Sequence, residues 1–167
     1  MAFLQIDYKS EALMRGVNIK VILPSDGMAG KWEPPYKTLY LLPGYSATAT
    51  ELITYLGLRG QSELKGIAIV LPDGENLFYQ DLPDRMTFYS TYVGKELVEV
   101  TRKMLPLSTK REDTFIGGIS MGGYGALYNG FKYRDTFSKV VAFSPAADAC
   151  MLLAGSEAPG FLSLIHI

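Results

Sequence analysis

Four short apolar runs, each bounded by Pro, Gly or Ser, restrict what this chain can fold into more than any other feature. They are Thr38–Leu42, Ile67–Leu71, Thr114–Ile116 and Lys139–Phe143. Runs this short, without polar alternation, are the pattern of parallel strands buried on both faces. Ahead of them, Val17, Ile19, Val21 and Leu23 alternate with residues such as Asn18 and Lys20, the period of a half-buried strand. With Phe3–Tyr8 before it, that segment predicts an antiparallel pair. Helical spacings separate the runs. Val93, Leu97, Val100 and Met104 make one stripe, with Ser90 or Thr91 as its cap and Pro106 as its stop. Tyr124, Leu127, Tyr128 and Phe131 make a second, and a shorter helix is expected over Thr50–Leu58. Strands alternating with helices give right-handed crossovers and a mostly parallel sheet. The fold class is α/β, with antiparallel strands at the N-terminal side.

The 167 residues contain no repeat, charge block or low-complexity linker, so one domain is expected. An apolar content of 48% with 20% charged residues excludes disorder and coiled coil. A net charge of −1 lacks the cationic field of nucleic-acid binders. The run Gly66–Leu71 is too short to span a bilayer, and Met1–Asp7 does not read as a secretory signal. The expectation is therefore a protein without nucleic-acid or membrane partners. The single cysteine, Cys150, fits a reducing, cytoplasmic compartment. There is also a single histidine, His166.

Chemistry enters at Thr114–Leu127, where Gly118, Ser120 and Gly122 form G-x-S-x-G between a predicted strand and a predicted helix. A serine at such a sharp turn has strained backbone angles, and flanking side chains would collide, so glycines are needed on either side. The turn exposes the Ser120 hydroxyl above the sheet as a nucleophile. The helix behind it brings partial positive charge to where an oxyanion would form. A second strand ends in Pro43-Gly44-Tyr45-Ser46 ahead of a helix. In this arrangement the amides of Tyr45 and Met121 are the expected oxyanion donors.

Taken together, several segments resemble the esterase D-like branch of the α/β-hydrolases, most closely the tributyrin esterase-type carboxylesterases. They are Tyr36–Leu42, Leu71-Pro72-Asp73-Gly74, Phe78-Tyr79, Pro106-Leu107-Ser108 with Lys110–Asp113, and above all Gly118–Ala126. The resemblance runs from about Phe3 to Asp148. It implies an α/β-hydrolase fold and a serine hydrolase of short-chain acyl esters. No metal or organic cofactor is implied, and the partner is a small-molecule ester. Relatives that act on S-formylglutathione or transfer acyl groups make those activities alternatives. A non-catalytic α/β-hydrolase-like binding module is a further one.

Two departures from the family stand out. Pro43 occupies the place where relatives carry a histidine before the oxyanion-loop glycine. More important, serine hydrolysis needs a base and an acid, in the order Ser, Asp or Glu, His. The family places both after strands beyond Lys139–Phe143. Only His166 could serve as base here, with Asp148 or Glu157 as acid. A Ser120–Asp148–His166 triad keeps the order, but 46 residues separate Ser120 from His166 and the last strand uses about half of them, so His166 would need an unusual return path. The triad acid and histidine are therefore expected to be absent from this chain. Residues 1–160 read as a partial hydrolase domain lacking its last strands, and Phe161–Ile167 as a foreign or artefactual tail. Asp148 then reverts to a loop residue and Cys150 to a small buried hydrophobe. Asp73, Asn76, Phe78 and Tyr79 follow the end of a parallel strand, where ligands bind in open α/β sheets, and are candidate pocket residues. Trp32 reads as a packing residue, and Lys110–Asp113 as a solvated loop.

Overall fold

The structure is a computed structural model in which residues 1–25 and 32–146 are described. Strands β1 (Ala2–Ser10) and β2 (Arg15–Leu23) pair antiparallel from Ala2 opposite Leu23 to Ser10 opposite Arg15. Then come β3 (Lys37–Leu42), helices α1 (Ala49–Tyr55) and α2 (Leu58–Lys65), and β4 (Ile67–Pro72). A short ribbon of β5 (Asp81–Leu82) and β6 (Thr87–Phe88) leads into α3 (Tyr89–Thr91). A π-helical turn over Tyr92–Glu96 joins α3 to α4 (Leu97–Met104). Strand β7 (Thr114–Ile119), helix α5 (Met121–Lys132) and β8 (Lys139–Phe143) complete the described chain.

The main sheet has the order β1-β2-β4-β3-β7-β8, with β4, β3, β7 and β8 parallel. Its central strands are apolar on both sides for a simple reason. Tyr40, Val70 and Ile116 join Leu97 and Met121 in one core, while Leu41, Ile69 and Leu71 join Leu52, Ile53 and Leu58 in another. Among the described residues no helix is long and apolar enough to cross a membrane.

Three helical expectations need correction. The helix expected over Thr50–Leu58 is two helices, broken at Gly57, whose φ is +58°. Thr48 starts the first with a capping box to Glu51. In the next helical segment neither Ser90 nor Thr91 caps. Instead, Thr91 donates from both its N–H and its hydroxyl to the Asp81 carboxylate, at 2.9 and 3.1 Å. The π turn inserts an extra residue into the helical ladder, so the buried face passes from Val93 to Leu97, Val98 and Thr101. Met104 turns out to solvent.

The largest correction concerns α5. Its buried side includes Gly122, Gly123, Gly125, Ala126, Asn129 and Gly130, whereas Phe131 is 75% exposed. A Cβ on Gly130 would lie 2.3 Å from Val140, and one on Gly125 would lie 2.4 Å from the Tyr79 ring. The helix lies so close to β8 and to Tyr79 that its small residues, not its large ones, make the contact.

Trp32 packs as expected: its ring covers Gly66 and its indole N–H donates to the Glu63 carbonyl at 2.8 Å. Lys110 and Arg111 are exposed, but the expected loop is in part a 3₁₀ turn over Arg111–Asp113, and Asp113 accepts from the Ser108 hydroxyl at 2.8 Å. Asp148, Cys150, Glu157, His166 and the segment Phe161–Ile167 lie outside the described residues.

Candidate active site

Ser120 stands between the end of β7 and the first turn of α5, half-buried, with φ +55° and ψ −116°. That backbone region is sparsely populated and costs about 1–3 kcal/mol for a residue with a side chain. Three hydrogen bonds hold it there. The Ser120 N–H donates to the Phe143 carbonyl at 2.9 Å, and the Ser120 carbonyl accepts from Tyr124 at 3.0 Å and Ala146 at 3.1 Å. At a net ~1 kcal/mol each, they can offset the strain.

The flanking glycines are required by contact. A Cβ on Gly118 would lie 2.1 Å from the Gly122 carbonyl oxygen, and one on Gly122 would lie 2.0 Å from that of Leu42. Both obstacles are backbone, so no side-chain rotation relieves them.

Gly44 closes against this turn: a Cβ there would be 3.5 Å from the Ser120 Cβ. The β3–α1 loop thus brings the Gly44–Tyr45 peptide beside Ser120. Met121 is the first residue of α5, where N–H groups have no acceptor within the helix. A cleft of about 370 Å³ is lined by Tyr45, Leu52, Tyr55, Leu56 and Ile119 among others; it reaches the residue before Ser120, but Ser120 itself is not part of its lining. Its walls are mostly apolar, and Tyr45, one of them, is 60% exposed. A larger hollow of about 510 Å³ lies on the β1–β2 side, between Tyr8, Arg15, Asp73 and Tyr92, and does not include Ser120 or Tyr45.

Backbone strain concentrates around Ser120. Of nine non-glycine residues with positive φ among the described residues, Ser46, Glu75, Asn76, Phe78, Tyr79, Ser120 and Ser144 follow the ends of β3, β4, β7 and β8. These are the carboxyl ends of the parallel strands, where open α/β sheets bind ligands.

The four candidate pocket residues do not behave alike. Tyr79 has no exposed surface and Phe78 is buried, so neither presents a free wall to a ligand in this structure. The Tyr79 hydroxyl donates to the Pro43 carbonyl at 2.7 Å, and burial pushes its pKa well above the ordinary phenol value. It therefore remains a protonated donor. Phe78 packs between the rings of Tyr45 and Tyr124, at 6.3 and 6.0 Å. Asn76 accepts from the Ser46 N–H at 2.6 Å, and Asp73 accepts from the Ala49 N–H at 2.9 Å. Sequence position pointed to these residues but not to their partners, which depend on β3 and β4 lying side by side.

Comparison with known proteins decides the family. The Esterase family profile matches residues 10–161. The chain belongs to this esterase family. The chain is similar to an acetyl esterase of Caldicellulosiruptor saccharolyticus, 40% identical over 151 residues that cover 87% of this chain and 57% of the relative. It is also similar to an S-formylglutathione hydrolase of Paracoccus denitrificans, 29% identical over 84% of this chain and 56% of the relative. The chain thus spans a little over half the length of these curated relatives. Among solved structures, a substrate-bound fluorophosphonate-binding serine hydrolase of Staphylococcus aureus superposes with a TM-score of 0.81. Its identity is 29%, covering 96% of this chain and 63% of that one. The fold of the chain is the α/β-hydrolase fold that the sequence resemblance implied.

Proposed function

We propose that this chain is part of a serine carboxylesterase whose parent protein hydrolyses short-chain acyl esters through Ser120. The observation that carries the reading is the strained Ser120 backbone at a strand–helix turn with the Gly44–Tyr45 peptide closed against it. In the first step the Ser120 Oγ attacks the ester carbonyl carbon and its proton passes to a base. The carbonyl oxygen becomes an oxyanion held by the Tyr45 and Met121 N–H groups. The tetrahedral intermediate collapses, the alcohol leaves with a proton, and water then releases the acid from Ser120. The base and the acid that orients it are supplied by a part of the parent that this chain does not include, and the tail Phe161–Ile167 is foreign to it. Asp73 and Asn76 border the site through the loop they brace. The apolar cleft beside Tyr45 and Ile119 favours a small acyl or alkyl group, in keeping with a relative named acetyl esterase. One cysteine in 167 residues fits a cytoplasmic location.

In the parent protein, Ser120→Ala should lower kcat for p-nitrophenyl acetate by about 10⁴-fold or more and abolish labelling by a fluorophosphonate probe. Circular dichroism should be unchanged, since one small atom is removed. Near-wild-type turnover by the variant would assign the chemistry to another nucleophile. A parent that neither turns over nor labels would be a binding module instead.

A further inference from the structure

The segment after β4 grips the segment after β3 at the point where an oxyanion donor must be aimed. Three consecutive peptide groups are involved. A trans peptide is planar, so fixing its C=O fixes the direction of the N–H across the same plane. The Pro43–Gly44 plane is fixed by the Tyr79 hydroxyl, 2.7 Å from the Pro43 carbonyl. The Gly44–Tyr45 plane, which carries the Tyr45 N–H, is fixed by the Ala47 N–H, 3.2 Å from the Gly44 carbonyl. The Tyr45–Ser46 plane is fixed by the Asn76 side-chain oxygen, 2.6 Å from the Ser46 N–H. Gly44 itself has no side chain to hold it, so its freedom of rotation must be removed from outside.

Tyr79 is well suited to remove it. Its ring fills the space a Cβ would need on Gly74 and Gly125 and meets Tyr89 edge-on at 6.0 Å. The Asn129 amide donates to its carbonyl at 3.2 Å. Tyr79, Asn76, Glu75 and Phe78 all have positive φ, strain that persists only where the surroundings over-determine it.

Resting on the hydrolase reading above, we propose that Tyr79 and Asn76 are positioning residues that aim the Tyr45 amide at the oxyanion, acting through the loop and without touching substrate. The consequence is a defect in transition-state stabilisation and not in ground-state binding.

The test is made in the parent protein with Tyr79→Phe, which keeps the ring and deletes the hydroxyl. Removal of one oxyanion donor costs about 10²–10³ in kcat and misaiming costs less, so a loss of roughly 10- to 100-fold is expected. KM for p-nitrophenyl acetate should stay within about twofold of wild type, as uniform binding is untouched. Affinity for a trifluoromethyl ketone, which forms a tetrahedral adduct on the serine, should fall in step with kcat. A merely structural role would lower Tm without moving kcat at room temperature, and that result overturns the proposal. Asn76 is exposed, so Asn76→Ala carries the same measurements if Tyr79→Phe is not recovered folded. Its expected kcat loss is smaller, and unchanged kcat with unchanged adduct affinity in that variant also overturns the proposal. If the parent turns over ester, Ser120→Ala does not, and both clamp variants match wild type, the hydrolase reading survives and the clamp falls. If the parent itself is inert, both fall.

Discussion

The two flanks of Ser120 are held in different ways. On the β3 side, Gly122 packs against the Leu42 and Pro43 carbonyls, Gly44 closes on the serine, and residues from 73–79 brace the loop. On the β8 side, the Ser120 peptide is tied to Phe143 and Ala146, but the strand supplying Phe143 pairs only with β7 among the described residues. Val141 and Phe143 are 44% and 57% exposed there. The contrast separates two parts of one chemistry. Residues 1–146 contain a serine turn and its flanking amides with their supports, while a proton relay has no counterpart among the described residues. On the proposed reading, attack and charge stabilisation are assembled locally, in advance of the groups that move the proton.

The largest expected effect tests that separation directly. The 167-residue chain should hydrolyse p-nitrophenyl acetate about 10⁴- to 10⁶-fold more slowly than the parent, because removal of triad members costs that much in kcat. Oxyanion donors alone leave some acceleration over water, so a low residual rate is expected, and His166→Ala should not change it. Robust turnover abolished by His166→Ala would place a base inside this chain and erase the contrast.

A smaller effect sharpens the β3 side. Gly122→Ala puts a methyl group 2.0 Å from the Leu42 oxygen and 2.5 Å from that of Pro43. Overpacking typically costs ~1–3 kcal/mol, and more where only backbone can move. The variant should show a Tm lowered by several degrees and a weakened reaction with fluorophosphonate, since β3 and α5 must separate. An unshifted Tm would mean that the β3 carbonyls yield easily and that the flank is less rigid than its contacts imply.

What the sequence disclosed follows the same division. The strands were legible because burial on both faces leaves an unbroken apolar run, as in Ile67–Leu71, where Ala68 and Val70 face one core and Ile69 and Leu71 the other. Gly118, Ser120 and Gly122 were legible because the turn has one steric solution. The face of α5 was not legible, since a stripe of large residues marks the core only when a helix stands a normal distance from its neighbour. Here Gly125 and Gly130 let it come closer, and Tyr128 and Phe131 are pushed outward. The π turn at Tyr92–Glu96 likewise left no mark in the apolar spacing. Asp73, Asn76 and Tyr79 were located as candidate pocket residues, but their hydrogen-bond partners were not legible, because position after a strand reveals where a loop lies and not which backbone groups its side chains reach. Those partners, Ala49, Ser46 and Pro43, lie between 24 and 36 residues away in sequence.

The smallest expected effect on stability, though a visible one on solution behaviour, concerns β8. Its outer backbone groups have no strand partner among the described residues, and Val141 and Phe143 present apolar surface beside them. An unpaired, apolar edge is a template for adding a strand from another molecule, and a charged side chain on that edge opposes it. The 167-residue chain should therefore scatter light increasingly with concentration, while the parent should not. Val141→Lys should suppress the scattering while changing the unfolding free energy by no more than about 0.5 kcal/mol, the usual range for an exposed site. Gly117, opposite Val141 in the register, offers no side chain that the lysine would collide with. A chain that stays monomeric at high concentration with a sharp melting transition would show that the β8 edge is already protected. The two flanks of Ser120 would then be more alike than their contacts indicate.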